Sequence, residues 1–263
     1  MKIVLLLTLT FISRSLIAQD LNLYEKKTFR KGNETLPYRI LYPVSYDENE
    51  KYPVVVFLHG AFEKGNDNSS QLVNGGSLFL RDSVRKKYPA IVIFPQCAAD
   101  KAWVYFEDKR DSTGKLTDVI FPFQKNAAVP TALVKDLLDS LLISGIADSS
   151  RMYIGGLSQG AMGVYDLLGR YPDYFTAAFP MCGAGNPGLT KRYERKVSLW
   201  IFHGEKDEVV KPEYSRTYYR RLKRDAADVR YTEYPGVGHD SWNNAFAESE
   251  LLSWLFSKRK NNL

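Results

Sequence analysis

Two uninterrupted apolar runs limit the fold of this chain more than any other feature. Pro53 to His59 (PVVVFLH) and Ala90 to Pro95 (AIVIFP) lack the polar–apolar alternation of a strand with one wet face. A strand of that composition must be covered on both sides, which happens mainly in parallel sheets sandwiched between helices. The remaining pattern agrees. Lys26 to Phe29 and Leu36 to Tyr42, joined by Lys31-Gly32-Asn33, read as an antiparallel hairpin. Val129 to Ile143 spaces Leu133, Leu137, Leu138, Leu141 and Leu142 at helical intervals, with Asp148-Ser149-Ser150 as the loop that follows. Met152 to Leu157, Ala177 to Met181, Ser198 to His203 and Val229 to Tyr234 read as strands. Ala161 to Leu168, ending at Gly169 and Pro172, reads as a helix, as do Pro212 to Asp225 and Phe246 to Phe256. Alternating strands and helices predict one α/β domain over 20–263, with a mostly parallel sheet and helices on both faces.

The chain has 263 residues, with 36 basic against 30 acidic side chains and a net charge of +6. Lys109-Arg110, Arg220-Arg221 and Lys258-Arg259-Lys260 are scattered among acids, so a solvated surface is expected and no nucleic-acid partner. Met1-Lys2, the apolar stretch from Ile3 to Ile12 and the small residues up to Ala18-Gln19 have the three-part form of a secretory signal over 1–19. The Ala-Gln ending is similar to signals of Bacteroidetes-type bacteria, which implies the periplasm or the exterior. Removing Lys2 and Arg14 would leave 34 basic and 30 acidic residues, or +4. No interior run approaches the roughly 20 apolar residues of a bilayer span, so no stable membrane insertion is expected. Cys97 and Cys182 are the only cysteines. They fall at strand ends about three spacings apart, roughly 14 Å against a workable Cα separation of about 7 Å, so two buried free thiols are expected.

In sheets of this type the chemistry lies at the C-terminal strand ends. Gly156-Leu157-Ser158-Gln159-Gly160 joins a buried strand directly to a helix. Its glycines permit a tight turn that presents the Ser158 hydroxyl clear of the sheet. A serine hydroxyl needs a base, and the chain has three histidines. His59 and His203 each follow a buried strand and precede glycine, positions suited to bracing strand ends. His239, in the small-residue loop Gly236-Val237-Gly238-His239-Asp240, is placed to reach over the sheet to Ser158. The third member must be a carboxylate that orients the imidazole. Among Glu205, Asp207 and Glu208, Asp207 is favoured because Val209-Val210 can pin its loop, and the two glutamates are expected to be solvated neighbours. The N–H groups of Gln159 and Ala61, with Phe62 second to Ala61, are the expected oxyanion donors.

With these stretches assembled, the sequence resembles the α/β-hydrolase superfamily across 20–263. It is similar there to secreted serine esterases related to feruloyl and acetylxylan esterases, a group also described as predicted peptidases of prolyl-oligopeptidase type. The carrying residues are Leu58-His59-Gly60, Gly65-Asn66-Asp67, Pro95-Gln96-Cys97 with Trp103, Gly156 to Gly160, Phe202-His203-Gly204 with Asp207, and Gly238 to Trp242. The resemblance implies the triad Ser158, Asp207 and His239, donors at Ala61 and Gln159, and no metal or organic cofactor. It implies hydrolysis of carboxylic esters through an acyl-enzyme, with a small or polysaccharide-linked ester as partner. The alternatives are a serine peptidase with the same triad and a non-enzymatic carbohydrate-binding protein on a hydrolase scaffold. Departures lie at Ala161, at Ala61 and in the long segment 98–128. That segment reads either as a hairpin-like flap or as a small satellite core. Trp103 and Trp242 are candidate substrate walls, or else packing residues.

Overall fold

The structure is a computed structural model that describes residues 20–114 and 116–260. The expected signal over 1–19 lies outside the described residues. In chain order the strands are β1 Glu25–Lys31, β2 Glu34–Leu41, β3 Tyr52–Leu58, β4 Ile91–Pro95, β5 Glu107–Arg110, β6 Leu116–Ile120, β7 Ala147–Leu157, β8 Ala177–Met181, β9 Ser198–Gly204 and β10 Val229–Tyr234. The helices are α1 Gly76–Leu80, α2 Asp82–Lys87, α3 Val129–Ile143, α4 Gln159–Arg170, α5 Glu213–Arg224, α6 Trp242–Ala247 and α7 Leu251–Ser257. Eight strands form one sheet in the order β1-β2-β4-β3-β7-β8-β9-β10. β2 runs antiparallel to both β1 and β4, and every junction from β4 to β10 is parallel.

Burial on both faces is visible residue by residue in β3. Val54, Val56 and Leu58 enter one core together with Leu133, Leu137 and Leu138 of α3, Val164 and Leu168 of α4, and Leu222 of α5. Val55 and Phe57 point the other way, into a second core with Phe79 of α1, Val84 of α2, Ala245 of α6 and Leu255 of α7. The continuous apolar runs are therefore what a twice-covered sheet requires.

Several local expectations are corrected. Asp148-Ser149-Ser150 is not a loop but the irregular start of β7, where the pairing with β3 shifts register between Tyr52 and Val54. Asp148 supports the bulge by accepting from the Ser150 N–H at 2.9 Å and from Arg151 Nε at 2.6 Å. α4 starts directly after Ser158 and runs through Gly169 to Arg170. Gly169 is there for space: a Cβ would stand 2.7 Å from Leu189 Cδ1. The terminal helix is broken in two, because Glu248 leaves the helical region at ψ 117° and is tied by the Tyr234 hydroxyl at 2.8 Å. α1 and α2, in the stretch between β3 and β4, lie outside the sequence reading.

The segment 98–128 holds both a hairpin and a small core. β5 and β6 form a separate two-stranded hairpin whose first strand is fully exposed. Beneath it, Val104 and Phe121 pack with Ala184 and Val210 in a small core. Asn186 Nδ2 donates to the Phe121 carbonyl at 3.1 Å, and Arg170 lies over the Phe123 ring at 4.7 Å, so the return limb is anchored to the body. Cys97 and Cys182 are both buried free thiols. Burial pushes the Cys97 thiol up to about 12 and raises that of Cys182 still further.

Tight strand packing carries a testable cost. A Cβ at Gly155 would stand 2.2 Å from the Phe179 ring on neighbouring β8. Gly155→Ala should destabilise the protein by about 1–3 kcal/mol through overpacking, read as a lowered Tm. In the double variant with Phe179→Leu the loss should be smaller than the sum of the two single losses. Strict additivity would contradict the contact.

Candidate active site

The chain leaves β7 and enters α4 at Ser158, which adopts φ 52° and ψ −121°. A non-glycine residue in that region is strained and needs its surroundings to hold it there. Two neighbours do so: the Ser158 N–H donates to the Met181 carbonyl at 2.9 Å, and the Ser158 carbonyl accepts from Met162 at 3.2 Å. The flanking glycines are steric necessities. A Cβ on Gly160 would fall 2.0 Å from the Leu58 carbonyl oxygen, and one on Gly156 would fall 2.7 Å from the Gly160 carbonyl carbon. The first turn of α4 thus lies directly on the end of β3. Although Ser158 occupies the N-cap position, its hydroxyl caps no helix N–H and faces His239 instead.

His239 Nε2 lies 3.0 Å from Ser158 Oγ, and His239 Nδ1 lies 2.7 Å from Asp207 Oδ2. With Nδ1–H donating to the carboxylate, Nε2 is left to accept from the serine hydroxyl. The loop bearing His239 rests on the end of β9, because a Cβ at Gly204 would meet the Gly238 oxygen at 2.1 Å. The Lys206 N–H donates to the Val237 carbonyl at 2.9 Å and fixes the same loop. Glu205 is exposed, as expected of a solvated neighbour, and also accepts from the Gly236 N–H at 2.8 Å, tying the loop from outside.

Asp207 is buried, and its carboxylate is fully occupied. Oδ1 accepts from the N–H groups of Val209 and Val210 at 2.9 Å each. Oδ2 faces His239 and, 3.1 Å away, His203 Nε2. Burial alone would raise this carboxyl, but the hydrogen bonds from His203, His239 and Val210 outweigh it and hold the group well below the usual carboxylate range. The backbone, not a pair of apolar side chains, pins this loop, since Val210 is buried but Val209 is exposed. His203 therefore does more than brace a strand end. Its other nitrogen contacts Ser215 Oγ of α5 at 2.7 Å, so the imidazole connects helix and carboxylate. The signal for it was the i, i+4 spacing of His203 and Asp207.

Gly60 carries the segment that precedes Ala61 against the serine: a Cβ there would lie 3.6 Å from Ser158 Cβ. Gln159 is the first residue of α4, with its N–H at the positive end of the helix. Ala61 follows Gly60 as the first residue of a short 3-10 turn, Ala61–Glu63, and Phe62, beyond it, is exposed. His59 is sequestered behind them. Its Nε2 accepts from the Cys97 N–H at 2.9 Å, and its Nδ1 is 2.6 Å from the Gly60 carbonyl, joining the ends of β3 and β4. The two tryptophans differ. Trp103 is corrected from a substrate wall to a core residue: it is fully buried, and its Nε1–H donates to the His59 carbonyl at 3.0 Å. Trp242 stands beside the site, its ring edge-on to His239 at 5.5 Å.

Cys182, Asp207 and His239 also bring ligand atoms within 4.8 Å of one another, the one group of this kind among the described residues. Asp207 and His239 already hydrogen-bond each other, and burial keeps the Cys182 thiol protonated. That donor set fits a hydrogen-bonded site better than a metal centre.

A serine at the sharp turn after a central parallel strand, with a carboxylate after β9 and a histidine after β10, is the arrangement of the α/β-hydrolase fold. Residues 43–250 match the Phospholipase/Carboxylesterase family, and the chain belongs to it. A thermostable esterase of known structure is 30% identical with a TM-score of 0.80, over 91% of this chain and 64% of its own. The present chain therefore spans less than two thirds of that esterase. The ferulic acid esterase of Anaeromyces mucronatus, solved with ferulic acid, shares the fold at 18% identity and TM-score 0.63, covering 88% of this chain and 89% of its own. A putative dipeptidyl aminopeptidase IV from Bacteroides ovatus shares it at 16% and 0.57, over 89% of this chain and 34% of its own. No curated protein matches the chain.

The buried imidazole behind the site gives a stability prediction. Burial lowers the pKa of His59 to about 4, against the partial opposition of its bond to Gly60. The neutral ring therefore contributes stability above about pH 6.5, the ordinary histidine value. That contribution falls away as pH drops through about 4, at about 1.4 kcal/mol per pH unit in between. Thermal unfolding from pH 7 to pH 4 should show a steeper loss in the wild type than in His59→Asn.

Proposed function

We propose that the protein is a serine hydrolase that cleaves carboxylic esters through an acyl-enzyme. The observation that carries this reading is the unbroken chain of contacts Asp207–His239–Ser158, at 2.7 Å and 3.0 Å. His239 Nε2 takes the Ser158 proton as Oγ attacks the ester carbonyl. Asp207 holds the ring in the required tautomer and stabilises the imidazolium. The N–H groups of Ala61 and Gln159 receive the oxyanion, a role worth roughly 3–4 kcal/mol for a well-placed donor. The imidazolium then gives its proton to the departing alcohol. Water, deprotonated by His239, attacks the acyl carbon and releases the acid and Ser158.

Membership of a carboxylesterase family favours an ester over a peptide bond. Feruloyl or acetyl esters on plant polysaccharide are the preferred substrate class, and the likeness in fold to a ferulic acid esterase supports that choice. The signal-like start over 1–19 supports action in the periplasm or outside the cell.

Ser158→Ala should abolish hydrolysis of p-nitrophenyl acetate and labelling by a fluorophosphonate while Tm is preserved. Retained turnover would refute the assignment. Asp207→Asn keeps the shape but offers the wrong hydrogen-bond partner, so kcat should fall by about 10³–10⁴. An assay of feruloyl, acetyl and aliphatic esters beside a peptide amide would set the substrate class; faster amide cleavage would overturn the ester reading.

A further inference from the structure

The turn that carries Ala61 has little of its own to hold it. It is a single 3-10 turn, Ala61–Glu63, entered from an extended Gly60 with no side-chain cap. Ala61 and Phe62 are exposed, Phe62 to 95%, so no apolar side chain anchors its first two residues. Yet Gly60, just before it, lies against Ser158, and the Ala61 N–H is a donor that the proposed chemistry requires. Such a donor is effective only when it is fixed before the charge develops, so that nothing has to reorganise as the bond forms.

Gln96, the first residue after β4, supplies the fixing contacts, and its side chain is fully buried. Nε2 donates to the Glu63 carbonyl, at the end of the turn, at 3.2 Å and to Asp67 Oδ1 at 2.8 Å. Oε1 accepts from the Asn68 N–H at 2.8 Å. Asp67 is ionised, since hydrogen bonds from Ser70 hold its carboxyl well below the usual carboxylate range. A carbonyl and a carboxylate can only accept and a peptide N–H can only donate, so these partners set which way the amide points. One carboxamide thus closes the loop 63–68 onto the end of β4.

Gln96 is itself held. Its N–H donates to the Pro37 carbonyl of β2 at 2.8 Å. The next residue, Cys97, donates its N–H to His59 Nε2 at 2.9 Å and accepts from the Gly65 N–H at 2.9 Å. From another direction, Asn74 Nδ2 donates to Glu63 Oε1 at 2.7 Å. Glu63 is therefore gripped at its carbonyl and at its carboxylate, two residues after Ala61. Gly65 keeps space for the amide, because a Cβ there would stand 3.3 Å from Gln96 Nε2.

We propose that Gln96 is a positioning residue for the oxyanion donor at Ala61: without touching the substrate, it fixes the Ala61–Glu63 turn relative to Ser158. That role rests on the serine-hydrolase reading and adds to it the side chain that prearranges one of its donors. Removing a donor outright costs about 10²–10³ in kcat, and displacing one by about 1 Å is enough to forfeit much of its effect.

Gln96→Met keeps the length of the side chain and removes all three polar contacts. With ethyl acetate as substrate, kcat should fall by about tenfold or more while KM changes by less than about twofold. A second readout separates positioning from general support of the fold: the adduct with an alkyl trifluoromethyl ketone. Ser158 Oγ bonds to the ketone carbon, its proton passes to His239 Nε2, and the carbonyl electron pair becomes the hemiketal oxyanion. The fluorine NMR shift of the adduct follows protonation of that oxygen as the pH is varied. Donors favour the charged form, so a misplaced donor should move the ionisation to higher pH, by about one unit for a tenfold loss of stabilisation. Should Gln96→Met fail to fold, Gln96→Asn, which keeps the amide but is one methylene too short, carries the same expectation. A hemiketal that ionises at the wild-type pH in the variant that folds, whatever its Tm, would overturn the proposal. Failure of the hydrolase reading has a separate signature: no hemiketal forms on the wild type, and turnover survives Ser158→Ala.

Discussion

The close approach of α4 to the end of β3 is the contact from which the site's geometry follows. With the Gly160 Cα lying against the Leu58 carbonyl, no side chain fits between helix and strand. The helix must then begin immediately after Ser158, and that residue must take a positive φ. The turn at Gly60 is also close, since a Cβ there would lie 3.6 Å from Ser158 Cβ. Strain at one residue is thereby balanced by packing along a whole strand–helix unit, as strained functional residues require.

A second network acts on the acid. Asp207 receives two backbone N–H groups on one oxygen and faces two imidazoles on the other. A carboxylate so occupied has no freedom to rotate away from His239. Because His203 also contacts Ser215, the orientation of Asp207 depends on the seating of α5. That helix carries Tyr214, which holds the hairpin. Hairpin, α5 and acid thus share one set of hydrogen bonds, although they are far apart in the sequence.

The order of strands and helices was legible because complete burial forces complete apolarity, which needs no tertiary knowledge to detect. Ser158 and Asp207 were legible for a related reason, since each stands just past such a run; His239 follows the half-exposed β10 and was legible only from its small-residue loop. Less was legible where contacts decide. The start of β7 looked like a loop because Asp148 and Ser150 bond to the backbone and to each other, a habit typical of turns. Trp103 looked like a substrate wall from its neighbours in sequence, whereas the bare Cα of Gly163 receives it within the core. Aromatic residues followed the same rule. Tyr24, Tyr153, Tyr165, Tyr193 and Tyr218 are fully buried, so part of the tyrosine content serves packing.

The two cysteines have a consequence for how the protein meets its surroundings. Both thiols are enclosed, and their acidity is suppressed, so neither offers the thiolate through which oxidants, alkylating agents and other thiols react. No covalent staple joins the layers described here; side-chain packing and backbone hydrogen bonding hold them. The native state is consequently indifferent to redox potential: glutathione has no bond to break in it, and air has no accessible sulfur to couple between molecules.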